Sequence, residues 1–238
     1  MSLPYDIPYT RPVVECKGKR YVIPDIHGCI NTLKELIDKI QLGKDDQLFF
    51  LGDYIDRGPN SKGVIDFIME MINHKYNMYL LIGNHDADIL TLSNMYKNSN
   101  IINMIESSGS RDIFDENYNI FPEYITFYKH SCYYYELPNV WLVHAGFDFS
   151  SPNPFTNTFQ MLWIRDMTYD EDMAKGKTII TGHTPRPIDI IKDDIKKSKK
   201  IISIDNGCVY KRFAGYGNLL CMDLSTFELI IQPNIDEY

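Results

Sequence analysis

Five short clusters hold most of the chemistry-bearing residues of this chain: Asp25-Ile26-His27-Gly28, Gly52-Asp53-Tyr54-Ile55-Asp56-Arg57-Gly58, Gly83-Asn84-His85-Asp86, His144-Ala145-Gly146 and Gly182-His183-Thr184. Together they offer ligands for two metal ions, an acid and a phosphate clamp. A dinuclear hydrolytic site needs hard oxygen and imidazole ligands, a bridging carboxylate, and open positions for water and phosphate. Asp25 and His27 can hold a first ion. Asp53 could bridge, and Asn84, His144 and His183 could complete a second. This donor set suits Mn²⁺, Fe or Zn²⁺ rather than a soft-metal thiolate site. Two divalent ions would outweigh the charges of Asp25 and Asp53, and Arg57 would make the pocket more cationic still.

Each cluster alone has a plainer explanation. A turn with a capping Asp and a satisfied His accounts for Asp-x-His-Gly about as often as a ligand pair does. Gly-Asn-His-Asp is a reasonable turn, because Asn and Asp tolerate left-handed backbone. The exception is Gly52-Asp53-x-x-Asp56-Arg57-Gly58. Five fixed positions match by chance in roughly one chain in ten thousand of this size. Arg165, in Leu162-Trp163-Ile164-Arg165, is a weaker candidate for phosphate binding, since an ion-paired surface arginine would look the same.

Strand-like runs precede the clusters. Arg20–Pro24 leads into Asp25, Gln47–Leu51 into Gly52-Asp53, and Met78–Ile82 into Gly83-Asn84. Between them Leu33, Leu36, Ile37 and Ile40, then Val64, Ile65, Ile68, Met71 and Ile72, recur at helical spacing, with Asn31 and Ser61 as expected N-caps. Strand–helix units of this kind favour a parallel sheet whose carboxyl-end loops converge on one site. Residues 86–138 read as a mainly helical insertion over the site. Later strands are expected at Val140–Val143, Thr178–Thr181, Ile201–Ile204, Leu219–Asp223 and Leu229–Gln232. Asp193–Lys200 is expected to be a solvated loop. Without repeats or long linkers, residues 1–238 read as a single α/β domain.

A net charge of −8 argues against a nucleic-acid surface and against docking on an anionic membrane. Five cysteines form no C-x-x-C pair, which favours a reducing compartment. Met1–Asp6 has neither a basic region nor an apolar stretch of signal length, and no apolar window reaches membrane-spanning length. A cytoplasmic protein is expected.

The ordered set resembles the PPP-type metallophosphatases of the calcineurin-like phosphoesterase superfamily, in their short bacterial and phage form. Their pattern is GDxHG, GDxxDRG, GNHE/D, HAG and GH, and the likeness spans about residues 20–223. It implies a metallophosphoesterase-like four-layer αββα sandwich with the dinuclear site at the carboxyl ends of the strands. Asp25, His27 and Asp53 would bind the first metal, and Asp53, Asn84, His144 and His183 the second, most commonly as Mn. His85 would be the general acid held by Asp56, and Arg57 and Arg165 would grip the phosphate. The expected reaction is hydrolysis of phosphate monoesters, foremost phosphoserine or phosphothreonine in proteins, in one step by a metal-bridging hydroxide. The alternative is a symmetrical dinucleoside tetraphosphate hydrolase or another nucleotide phosphohydrolase. A binding protein that has lost catalysis is disfavoured by the intact ligand set.

Two departures matter. Pro24 replaces the first glycine of the pattern, although Asp25 should keep its place. Ile82 stands where many protein phosphatases carry an arginine, which weakens the phosphoprotein reading. Asp86 in place of Glu is common among the tetraphosphatases, whereas those enzymes often lack the counterpart of Asp56.

Overall fold

The computed structural model describes residues 3–238. The chain opens with β1 (Arg20–Ile23), α1 (Ile30–Ile40), β2 (Gln47–Phe50), α2 (Ser61–Asn73) and β3 (Asn77–Leu80). Three helices follow: α3 (Asn84–Ser93), α4 (Ser99–Ser107) and α5 (Pro122–Lys129). The second half contains β4 (Tyr134–Glu136), β5 (Val140–Val143), α6 (Thr158–Trp163), β6 (Thr178–Thr181) and α7 (Ile188–Lys196). It ends with β7 (Ile201–Ser203), β8 (Asn218–Asp223) and β9 (Leu229–Pro233).

These strands form two sheets, ordered β3-β2-β1-β8-β9 and β4-β5-β6-β7. In the first, β1, β2 and β3 run parallel and β8 and β9 are antiparallel additions. In the second, β5, β6 and β7 run parallel and β4 is the antiparallel edge. The expected mixed α/β architecture with paired sheets is what the chain adopts.

Strand alternation explains why both faces are buried. Val22, Phe49, Leu51, Leu220 and Met222 pack with Leu142, Ile180 and Ile202 in one apolar cluster shared by the two sheets. The alternate residues Tyr21, Ile23, Leu48 and Phe50 join the larger cluster with the apolar faces of α1 and α2, including Leu33, Leu36, Val64 and Ile68. On the second sheet, Trp141 stacks on Phe155 with ring centroids 4.9 Å apart and donates from Nε1 to the Ala174 carbonyl at 2.9 Å.

Local details differ from the sequence reading for identifiable reasons. α1 begins at Ile30, and Asn31 does not cap it. The buried carboxylate of Asp236 does so instead, accepting from Asn31 N and Thr32 N at 2.9 Å each and from Thr32 Oγ1 at 2.6 Å. Asn60 rather than Ser61 caps α2, its Oδ1 accepting from Gly63 N at 2.6 Å. Asp193–Lys196 continues α7 instead of forming a loop; the helix stops only before Ser198, which has a left-handed φ of 50°. Its surface i,i+4 pair Asp193–Lys197, 2.6 Å apart, supports that last turn. The aromatic run at Cys132–Tyr135 becomes a bridge from Cys132 to Leu81 followed by β4. Among the described residues no helix is long and apolar enough to cross a membrane.

The Asp236 cap gives a direct test of how α1 is fixed. Asp236→Ala leaves two amides and a hydroxyl at the helix start without their acceptor and should cost about 2 kcal/mol in chemical denaturation. A superimposable unfolding curve would show that the tail does not cap α1.

Candidate active site

The parallel strands aim their carboxyl ends in one direction, and nearly every cluster follows such an end. Asp25 and His27 lie beyond β1, Asp53 beyond β2, and Asn84 and His85 at the start of α3 beyond β3. His144 follows β5 directly, and His183 follows β6 after one glycine. The topology thus brings together residues up to about 160 positions apart, such as Asp25 and His183, whose Oδ1 and backbone N are 3.0 Å apart.

Close approach of these loops requires bare backbone. A Cβ on Gly83 would stand 2.1 Å from Asp53 Oδ1, and one on Gly182 would stand 2.2 Å from Asp25 Oδ1. The loops are also bent against their preference. His27, Asp53, Asp56, Arg57 and His183 all have positive φ, between 48° and 70°. Such conformations cost about 1–3 kcal/mol each and persist where surrounding contacts impose them.

Asp53 stands at the centre. Its Oδ2 lies 3.8 Å from His27 Nε2 and 3.6 Å from His144 Nε2. Donor atoms of Asp25, Asp53 and His144 lie within 4.8 Å of one another, as do those of His27, Asp53 and His85. Asp53 is common to both groups, as a bridging ligand requires. Asn84 Oδ1 faces His144 Nε2 at 2.9 Å and His183 Nδ1 at 2.8 Å, which joins His183 to the Asp53–His144 side, while Asp25 Oδ2 also lies 3.9 Å from His27 Nε2 and so stands between the two groups.

The protonation pattern fits metal ligation. His27 Nδ1 donates to the Ile55 carbonyl at 2.7 Å, and His144 Nδ1 donates to the Leu51 carbonyl at 2.8 Å. A carbonyl only accepts, so each ring carries its proton on Nδ1 and turns the Nε2 lone pair toward Asp53. This is the orientation that a backbone carbonyl behind the ring gives to metal-binding histidines. Burial, reinforced by the charge of Arg57, holds the His27 pKa well below the usual range. Burial with His183 does the same to His144, and burial with Arg165 brings His183 down to about 4. All three rings are therefore uncharged at neutral pH.

The carboxylates show the complementary cost. Burial, then the neighbouring Asp205, pushes Asp25 well up; burial, then Asp25 and Asp86, pushes Asp53 well up. Neutral imidazoles offer these anions no countercharge, and cations would. The donor set therefore fits a pair of divalent ions.

His85 Nδ1 lies 2.6 Å from Asp56 Oδ2, as expected for an oriented acid. Arg57 spans the opening, with Nη1 2.6 Å from His27 Nε2 and Nη2 2.7 Å from His85 Nε2. Arg165 lies on an exposed segment just beyond α6, near enough to depress His183. All ten residues singled out in the sequence thus lie at or beside one centre. Pro24 ends β1 and leaves Asp25 buried in place, while Ile82 is wholly buried in the core.

Two supporting residues, Ser110 and Asp205, escaped the sequence reading, and a third, Asp86, was noted there only as part of its motif. Asp86 is fully buried; its Oδ2 accepts from Asp53 N at 2.8 Å and Gly83 N at 2.9 Å, tying two ligand loops together. Ser110, from the stretch between α4 and α5, hydrogen-bonds Asp56 Oδ1 and receives Asp56 N at 3.0 Å. Asp205, immediately after Ile201–Ile204, is a further buried carboxylate whose pKa burial raises to about 6. The rule that exposed the other clusters, a polar residue straight after an apolar strand, would have found Asp205. Nothing in the sequence marks Ser110.

Residues 18–213 match the family description "Calcineurin-like phosphoesterase". The chain belongs to that family. The family is one of metallophosphoesterases and works with a dinuclear divalent metal site. One relative, the asymmetrical bis(5'-nucleosyl)-tetraphosphatase PrpE of Oceanobacillus iheyensis, is 27% identical over 222 residues, 79% of this chain and 84% of that protein. The symmetrical bis(5'-nucleosyl)-tetraphosphatase of Buchnera aphidicola subsp. Baizongia pistaciae is 39% identical over 80 residues, 33% of this chain. That match spans only 28% of the Buchnera protein's length. A crystal structure provisionally assigned as a diadenosine tetraphosphatase superposes with a TM-score of 0.66 at 22% identity, covering 92% of this chain and 95% of that one. A serine/threonine phosphatase from Saccharomyces cerevisiae superposes with a TM-score of 0.59 at 18% identity, covering 92% and 81%. At these identities the superpositions show the fold alone.

Asp53→Asn removes the carboxylate shared by both ligand groups. Elemental analysis of the purified variant should show bound divalent metal largely lost, and Mn²⁺ should raise the thermal midpoint of the parent but not of the variant. A variant retaining two ions per chain would contradict the bridging role.

Proposed function

We propose that this protein is a metal-dependent hydrolase of dinucleoside polyphosphates. The observation that carries the substrate class is the 27% identity to a named bis(5'-nucleosyl)-tetraphosphatase across 79% of the chain. The site supports the reaction class: two groups of hard donors share Asp53, with a guanidinium fork and an oriented histidine at the opening. The buried Ile82, where phosphoprotein phosphatases often have arginine, agrees with a nucleotide substrate.

In this reading Asp25, His27 and Asp53 hold one ion, and Asp53, Asn84, His144 and His183 the other. Mn is the favoured metal, with Fe and Zn as alternatives. Bound there, the ions would lower the pKa of a water molecule and offset phosphate charge. Arg57, with its planar fork at the mouth, and Arg165 on the rim contact two phosphate oxygens each and hold the phosphorus in line. His85 gives a proton from Nε2 to the departing oxygen while Nδ1 stays fixed on Asp56. Nε2 of His85 now accepts from Arg57, so the guanidinium must swing toward the phosphate before His85 can act.

A second reading, hydrolysis of phosphoserine or phosphothreonine monoesters, is favoured by the Asp56–His85 contact of 2.6 Å. An alkoxide leaves with more difficulty than a nucleotide phosphate and needs a well-held acid more. The two readings separate in one assay. With Mn²⁺, kcat/KM for diadenosine tetraphosphate should exceed that for a phosphopeptide panel at least tenfold. The reverse order would assign the protein to phosphoproteins. Product analysis then distinguishes symmetrical cleavage (two ADP) from asymmetrical cleavage (AMP and ATP).

His85→Asn tests the acid on a leaving group that needs one. Turnover of a phosphoserine peptide should fall by roughly 10²-fold or more, and that of p-nitrophenyl phosphate, whose leaving group scarcely needs protonation, by much less. Equal losses on both substrates would remove the acid role.

A further inference from the structure

Beside the candidate acid, an apolar groove of about 510 Å³ opens between α3 and α4. Its lining includes His85 and Asp56 together with Met95, Ile101 and Met104. Along α3 the spacing is regular: His85, Asp88, Ile89 and Leu92 fall at i, i+3, i+4 and i+7, so one helical stripe leads away from the acid. That stripe runs roughly 10 Å along the helix axis. The groove's volume lies within the range of about 300–1,000 Å³ usual for small-molecule sites. Met95 and Met104 are 47% and 53% exposed, although they face an apolar space.

We infer that this groove binds the ribose and base of the nucleotide that leaves. The inference rests on the dinucleoside polyphosphate reading and specifies where that substrate's nucleosides go. Three features carry it. First, the histidine placed to protonate the leaving oxygen is itself a wall of the groove, so the groove opens on the leaving-group side of the cleaved bond, where the departing nucleotide's phosphates lead on to its nucleoside.

Second, the charge excludes phosphate and admits a nucleoside. No lysine or arginine lines the groove, and its charged groups are the carboxylates of Asp56 and Asp88. A phosphate chain would be repelled there and stays with Arg57 and the metal ligands. An uncharged nucleoside has no such penalty. Its ribose hydroxyls can donate to the half-buried Asp88 carboxylate.

Third, the lining suits an aromatic ring with a polar edge. Two methionine thioethers and the branched carbons of Ile89, Leu92 and Ile101 offer faces on which a purine can lie. The hydroxyl oxygens of Ser107 and Ser108, whose protons go to backbone carbonyls of α4, can accept from an exocyclic amino group of the base.

The test uses the full-length, Zn²⁺-loaded protein with ¹³C-methyl methionine, Met95 and Met104 being assigned through Met95→Leu and Met104→Leu. Titration with ADP should shift both methyl signals, and titration with pyrophosphate should leave them in place. In kinetics, the double variant Met95→Glu/Met104→Glu, checked for an unchanged thermal midpoint, should lower the ratio of kcat/KM for diadenosine tetraphosphate to that for p-nitrophenyl phosphate about tenfold. Methyl signals indifferent to ADP, or a ratio unmoved in the folded variant, would overturn the inference while leaving tetraphosphate hydrolysis intact. If the parent fails to cleave diadenosine tetraphosphate, the substrate reading falls, and the ADP titration alone decides the groove. Shifts produced by a phosphopeptide and not by ADP would assign the groove to an apolar peptide side chain and overturn the inference.

Discussion

A carboxylate buried between two neutral imidazoles is the interaction on which this structure turns. Asp53 is nearly inaccessible to water, has Asp25 and Asp86 as neighbours, and looks onto His27 and His144 through ring atoms that carry lone pairs. Left to itself such an arrangement is unfavourable twice over, through desolvation and through like charges. Cations held there, as the proposed function requires, would make it tolerable. The rest follows: carbonyls of Ile55 and Leu51 set the tautomers, Asp86 ties the Asp53 loop to the Gly83 loop, and glycines let backbone pass within touching distance of the carboxylates.

The backbone distortions belong to the same design. Five site residues in left-handed conformations represent several kcal/mol of local strain in total. The two sheets and their shared core hold the loops against it. Packing of Val22, Phe49 and Leu51 against Leu142 and Ile180 keeps the carboxyl ends of β1, β2, β5 and β6 side by side. Stability is thus spent at the centre of the molecule to fix ligand directions at its edge.

The sequence disclosed the site more fully than the scaffolding around it. Motif spacing and strand–helix alternation are local signals, and they located β1, β2, β3, β5 and β6 together with the residues beyond their ends. What stayed hidden depends on partners distant in the chain. Asn31 looked like a cap for α1 because nothing nearby signalled that Asp236 would take that place. Asp193–Lys196 read as a loop because lysine and aspartate are common in loops, although the same residues pair at i,i+4 along a helix. Ser110 lies between α4 and α5 with no motif beside it, and only the folded chain brings its hydroxyl onto Asp56. The preference between substrates also shifted: motif chemistry alone favoured phosphoproteins, whereas the likeness along most of the chain favours nucleotides.

The strand that launches Asp25 sits between β2, its parallel neighbour, and β8, whose Asp223 pairs with Tyr21 across about two hundred residues of chain. The β1–β8 pairing cannot close until most of the polypeptide is in place, although β1, β2 and β3 are near one another in the chain. During synthesis the amino-terminal ligand loop therefore emerges long before the strand that completes its support. Affinity for ions should arise abruptly, late in folding, as a property of the finished sheet rather than of the motifs that supply the ligands.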